Sequence, residues 1–165
     1  MIRVAPIEDP GERSRVCESI LRALPGWFGI EHAIVDYVRD VAELPTLGAW
    51  VDGAAEPAGF LSLKLHTRWA AEIHVMGVRE EAHRRGVGRA LVEFAEEQLA
   101  EHGVEYLQVK TLGPSRRSAQ YEQTRAFYEA VGFRPLEELH GLWDEGNPTL
   151  IMVKAVTRVE EPRSG

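Results

Sequence analysis

Residues 69–99, WAAEIHVMGVREEAHRRGVGRALVEFAEEQL, decide how this chain is read. They predict a β-strand from Ala70 to Arg79, a short basic turn, and a helix from about Gly86 to His102. The helix buries the stripe Val87, Leu91, Phe94, Ala95 and Leu99 and turns Glu93, Glu96, Glu97 and Glu101 to water. The turn, His83-Arg84-Arg85-Gly86-Val87-Gly88-Arg89, brings four potentially cationic side chains to a helix start. That end of a helix macrodipole is positive and favours Asp and Glu. Arginines there make sense when an anion sits among them, and glycines at 86 and 88 let backbone N–H groups approach it closely. The stretch reads as a phosphate cradle.

Downstream, His102-Gly103 carries a helix-ending signature, and Val104 to Thr111 is a further strand. A strand–helix–strand unit of this kind normally makes two parallel neighbours. Leu112 to Ala119 reads as a loop, Gln120 to Val131 as a helix ended by Gly132, and Phe133–Leu139 and Thr149–Ala155 as final strands. A loop holding Trp143, Gly146 and Pro148 joins those two strands. Upstream, Ile2 to Ile7 forms a first strand, and Glu12 to Leu24 and Ile30 to Leu44 are amphipathic helices. Thr46–Val51 and Gly59–His66 form a hairpin across residues 52–57. Residues 1–156 form one domain and 157–165 a short polar tail.

The chain has 165 residues with 19 basic and 26 acidic side chains, a net charge of −7 that argues against a sequence-independent nucleic-acid binder. Its single cysteine, Cys17, lies on a helix stripe as a small core residue and suits a reducing compartment. No apolar run approaches the roughly 20 residues of a membrane span, and residues 1–24 do not resemble a leader, so a cytoplasmic location is expected. His66, Glu72 and His74 are the only residues that hint at a metal, and no His-x-x-x-His or cysteine pair supports one.

Several phosphate-binding patterns compete for the turn. A P-loop needs Lys-Ser/Thr after its last glycine, where this chain has Arg89-Ala90. A dinucleotide fingerprint needs a small residue at Leu91 and an early position in the chain. The plain alternative is a surface turn whose arginines pair with Glu80 and Glu81.

A strand, His83-Arg84-Arg85-Gly86-Val87-Gly88 and a helix together resemble the acyl-CoA signature of the GNAT N-acetyltransferase superfamily, Gln/Arg-x-x-Gly-x-Gly/Ala, with His83 at the position usually held by Gln or Arg. Thr124-Arg125-Ala126-Phe127-Tyr128-Glu129-Ala130-Val131-Gly132-Phe133 is similar to the family's late helix, which ends in Tyr-x-x-x-Gly-Phe; Tyr121 stands where the family often has Asn. The resemblance covers most of the chain. It implies an α/β (α+β) fold: a mixed, mostly antiparallel sheet of six to seven strands, with one splayed parallel pair and about four flanking helices. It also implies acetyl transfer from acetyl-CoA to a primary amine by direct attack, with coenzyme A released.

On that resemblance, the pyrophosphate falls to the backbone of residues 84–89 with His83, Arg84, Arg85, Gly86, Val87, Gly88 and Arg89, and the pantetheine arm to Met76, Gly77 and Val78. Thr124 joins them from the late helix. Tyr128 is the expected acid for the leaving thiolate, since a phenol with pKa about 10 can protonate a thiolate of similar basicity.

For the base, period-2 geometry puts Ala71, Ile73, Val75 and Gly77 on one face of the strand and Glu72, His74, Met76 and Val78 on the other. Ala71-Glu72-Ile73 also resembles the histone-acetyltransferase segment that carries a catalytic glutamate. Glu72, or a water it orients, is the first candidate and His74 the second. Loops around Trp27-Phe28, Ser115-Arg117 and Trp143-Asp144 are expected to shape the site for a small-molecule or peptide amine. Homodimers are common among similar proteins. A non-catalytic acyl-CoA-binding or ligand-sensing module is the rival reading.

Overall fold

Sheet order and helix placement follow from which segments bury one face and which bury two. The computed structural model describes residues 1–156, so the tail expected at 157–165 lies outside the described residues. In chain order it contains β1 (Ile2–Pro6), α1 (Pro10–Arg22), α2 (Glu31–Val41), β2 (Thr46–Val51), β3 (Gly59–Leu65), β4 (Ala70–Val78), a 3-10 turn (Glu80–Ala82), α3 (Val87–Glu101), β5 (Tyr106–Leu112), α4 (Ala119–Ala130), β6 (Arg134–Asp144) and β7 (Asn147–Ala155).

The strands form one seven-stranded sheet in the order β1-β2-β3-β4-β5-β7-β6. Every neighbour is antiparallel except β4 and β5, which are parallel because the α3 crossover joins them. The expected mixed sheet with one parallel pair and four helices is the fold observed. The loop expected between the last two strands is instead a tight connection, because β6 continues to Asp144 and the Asp144 carboxylate accepts from the Gly146 N–H at 2.9 Å.

Two apolar clusters fill the two sides of the sheet. One packs α3 and α4 through Val87, Leu91, Leu99 and Tyr128 against Leu61, Ile73, Leu107, Phe133 and Met152. The other packs α1 and α2 through Val16, Ile20, Leu21 and Val41 against Phe60 and Val75. Asp9 starts α1 by accepting the Glu12 N–H at 2.8 Å, ahead of Pro10 in the first turn. Cys17 is fully buried among these apolar side chains, and burial pushes its thiol pKa up to about 12.

One irregularity overturns the face assignment made from simple alternation. Ser62 pairs with Val75 and Leu63 with Ile73, so His74 is an extra residue on β4, a β-bulge. Before it, Ala71 and Ile73 face the α3 side; after it, Val75 joins the α1/α2 cluster while Met76 and Val78 pack on the α3 side. Gly77 follows Val75, since a Cβ there would meet Ile20, Leu24 and Phe60 within 3.4 Å. Alternation is a property of an unbroken pleat, and one inserted residue reverses it.

Candidate active site in the fork between two parallel strands

The parallel pairing of β4 and β5 is short: it runs from Ala70↔Tyr106 to Ile73↔Val109 and stops. Beyond it β5 stays paired to β7 as far as Leu112, and β4 stays paired to β3 as far as Val78. The two strands therefore part like a fork, and on that side the edge of β4 from His74 to Val78 has no strand across from it among the described residues. A cavity of about 650 Å³ occupies the gap, walled by Ile73 to Val78 on one side and Val109 to Thr111 on the other.

One end of the cavity is the basic turn. Gly86 caps α3 with φ of +84°, a left-handed conformation that glycine adopts without strain, and no side chain caps the helix. Among the described residues, no N–H from Arg84 to Arg89 donates to another backbone carbonyl, so the orphan donors of the helix start remain available together. Gly88 lets α4 come close: a Cβ there would stand 2.9 Å from the Phe127 ring.

Of the cations in this turn, Arg84 lines the cavity and has no ion-pair partner among the described residues. Arg89 also lines it, while its guanidinium donates to the Ala130 carbonyl at 3.3 Å and lies 3.8 Å from Glu93. Arg85 turns away from the cavity lining and pairs with Asp52 at 3.2 Å. The arginines do not pair with Glu80 or Glu81. His83 donates from Nε2 to the Val78 carbonyl at 2.7 Å and meets the Trp27 ring edge-on at 5.5 Å, which ties the turn to the end of β4.

The α4 wall carries Thr124 and Tyr128. Trp27 donates to the Thr124 hydroxyl at 3.2 Å, and Tyr121 donates to the Trp27 carbonyl at 2.6 Å, so the segment after α1 is bound to α4 across the cavity. Burial raises the Tyr121 phenol to about 12. Tyr128 lines the cavity between the Phe127 and Phe133 rings, at 5.3 and 5.4 Å. Its hydroxyl has no hydrogen-bond partner among the described residues, and burial raises its pKa well above that of an ordinary phenol. Such a group keeps its proton at neutral pH, and it passes that proton to a thiolate only where the same burial raises the thiolate's basicity alongside its own.

At the fork itself the two base candidates separate. His74 is on the cavity wall. Its Nε2 lies 3.1 Å from Asp40 Oδ2 on α2, and its ring meets Tyr37 edge-on at 5.5 Å. With Nε2–H donated to the carboxylate, Nδ1 carries the lone pair and is left without a partner among the described residues. Glu72 is only 6% exposed and is not part of the cavity lining. One of its oxygens already accepts from Lys110 Nζ at 2.7 Å and His66 Nε2 at 2.6 Å.

The structure also brings Tyr37 and Lys110 onto the cavity wall and Asp40 behind His74, none of which the sequence singles out for the site. The one signal available was Tyr37 and Asp40 at i, i+3 on an amphipathic helix, which puts a carboxylate beside an aromatic on one stripe. Among the described residues no group of three His, Cys, Asp or Glu side chains is arranged to hold a metal ion, and no helix is long and apolar enough to cross a membrane.

The chain is similar over 105 residues, at 29% identity, to a protein of Chlorobaculum tepidum named as an uncharacterized N-acetyltransferase. That match covers 64% of this chain and 56% of the relative, so it spans little more than half the relative's length. A putative acetyltransferase of the GNAT family from Desulfovibrio desulfuricans has the same fold, with a TM-score of 0.78 and 17% identity over 95% of this chain and 100% of that one. A GNAT family acetyltransferase from Elizabethkingia anophelis, solved with acetyl-CoA bound, superposes with a TM-score of 0.67 and 15% identity over 93% of this chain and 97% of that one. The family model for the acetyltransferase (GNAT) family matches residues 14–133, which include both strands of the fork, the glycine turn and Tyr128. This chain belongs to the GNAT acetyltransferase family.

Proposed function

We propose that the protein is an acetyl-CoA-dependent N-acetyltransferase that acetylates a primary amine by direct attack. The observation that carries the reading is the fork. One cavity joins a run of unbonded N–H groups, a protonated phenol and an imidazole backed by a carboxylate.

The residues fit the cosubstrate. Main-chain groups of Arg84 to Arg89, with the Arg84 and Arg89 guanidinium groups, suit a pyrophosphate. The open edge of β4 at Met76, Gly77 and Val78 suits an amide-bearing arm that extends the sheet, and Thr124 adds a hydroxyl from α4. Bound acetyl-CoA supplies a thioester carbonyl for the amine to attack. His74 accepts the proton that the ammonium form must lose, and Asp40 holds the ring in the tautomer whose Nδ1 can take it. Tyr128 would give its hydroxyl proton to the leaving thiolate, and its phenolate would regain a proton from the attacking nitrogen, which sheds its second proton on becoming an amide. Glu72 keeps Lys110 and His66 in place at the fork and acts on the reaction through them. A cytoplasmic location accords with the single cysteine, which is buried and unpaired.

The test mixes the protein with acetyl-CoA and a panel of amines and measures free CoA thiol above background hydrolysis. Amine-dependent release is expected. Tight acetyl-CoA binding with no release from any amine would favour a sensing module and overturn the enzyme.

A further inference from the structure

The protein carries a net charge of −7, yet among the described residues no Asp or Glu lines the cavity. Its charged lining is cationic and sits in two places. Arg84 and Arg89 stand at the glycine turn, and Lys110 stands at the fork. The turn's cations are accounted for by the phosphates of the cosubstrate. Lys110 is not. It is the residue after Val109, the last on β5 paired with β4, just as His74 follows Ile73 on the other prong. Its ammonium has three N–H donors and spends one on Glu72 at 2.7 Å, and no other acceptor engages it among the described residues. The same cavity holds an aromatic series, Phe28 to Tyr37 at 6.2 Å and Tyr37 to His74 at 5.5 Å, both edge-on, with Trp143 on the β6 side.

We propose that the acceptor is an amine with an aromatic body and a carboxylate, of the aromatic amino acid class, and that Lys110 is the specificity-determining residue that anchors the carboxylate. The inference rests on the transferase reading above. The aromatic series extends edge-to-face onto an aromatic substrate. A carboxylate set against Lys110 makes a charge-assisted hydrogen bond beside the base. A polyamine or aminoglycoside, by contrast, must bring several ammonium groups into a cavity whose lining offers them no carboxylate, so they enter unpaired.

The experiment compares phenylalanine, phenethylamine and spermidine at saturating acetyl-CoA, scored by kcat/KM for CoA thiol release. Phenethylamine is phenylalanine without its carboxylate. The expected phenylalanine-to-phenethylamine ratio is about ten or more, the size of one hydrogen bond to a charged group, and spermidine is the poorest of the three. Lys110→Met collapses that ratio toward one, and Lys110→Arg, which keeps the charge and the Glu72 partner, preserves it. A ratio near one in the unaltered protein, a preference for spermidine, or a ratio that Lys110→Met leaves intact overturns the acceptor class. In that event release with some other amine keeps the transferase standing, whereas no release across a broad panel removes both.

Discussion

In the proposed reaction the two ends of the cavity do their work with different parts of the chain. At the glycine turn the chemistry is in the main chain: the donors are N–H groups of residues 84–89, held open by a left-handed Gly86 and a helix with no side-chain cap. At the fork it is in side chains from separate elements, with His74 from β4, Asp40 from α2, Lys110 from β5 and Tyr128 from α4. A main-chain site binds a constant group, because backbone donors have one spacing and one charge. A side-chain site can be altered a residue at a time, which suits the half of the reaction that selects an acceptor. Changes at the turn are therefore expected to move cosubstrate affinity, and changes at the fork to move turnover.

The strongest challenge to that division is Tyr128→Phe. It removes one oxygen from a ring packed between Phe127 and Phe133, so kcat is expected to fall by about 10²–10⁴ while the acetyl-CoA Kd moves less than about twofold. Because burial raises the phenol's pKa, its acid form persists through pH 10, and the kcat–pH curve should not fall below that point. A fall centred near pH 8 would assign the acid elsewhere.

Next in size is His74→Gln, expected to lower kcat about 10²-fold, with Asp40→Asn costing about tenfold because the ring's tautomer is no longer held. Equal loss in the Kd of acetyl-CoA would place His74 among binding groups and blur the two ends. Glu72→Gln separates the two base candidates more sharply. It leaves the half-buried Lys110 without its counter-charge, so about 1.5–3 kcal/mol of stability should be lost in urea unfolding. The kcat–pH profile should keep its shape; a profile displaced toward higher pH would make Glu72 the base.

At the turn the effects are smaller. Gly86→Ala forces a side chain into φ of +84°, which costs about 1–2 kcal/mol and should weaken acetyl-CoA binding about tenfold with kcat little changed. The smallest contrast is between neighbours. Arg84→Gln should raise the acetyl-CoA Kd about three- to tenfold, with a weaker salt dependence, while Arg85→Gln, paired with Asp52 off the cavity, should leave it within about twofold. Isothermal titration at two salt concentrations reads both.

Legibility followed the same division. The turn could be read because each of its features is local: glycines at 86 and 88, arginines where a helix start favours acids, and a strand before and a helix after. The fork could be anticipated only through the family resemblance, since nothing in β4 or β5 taken alone says where their pairing ends. Glu72 and His74 looked equivalent by alternation, yet one is sealed between Lys110 and His66 and the other opens onto the cavity. Gly146 and Pro148 mark the β6–β7 connection around Trp143 as a loop in the sequence, whereas in the fold β6 extends to Asp144, which pairs with Asn147.

By itself the sequence determined the elements and their order, the parallel crossover around α3, and the basic glycine turn at residues 83–89. Those depend on side-chain periodicity and on backbone conformations that only certain residues take at short range. The tertiary structure alone decided the length of the β4–β5 pairing, the bulge at His74, and which of two carboxylates, Glu72 or Asp40, stands behind the imidazole. These depend on how α2, α4 and β7 pack against the sheet, and contacts made across 34 or 38 positions leave no periodic mark in a chain.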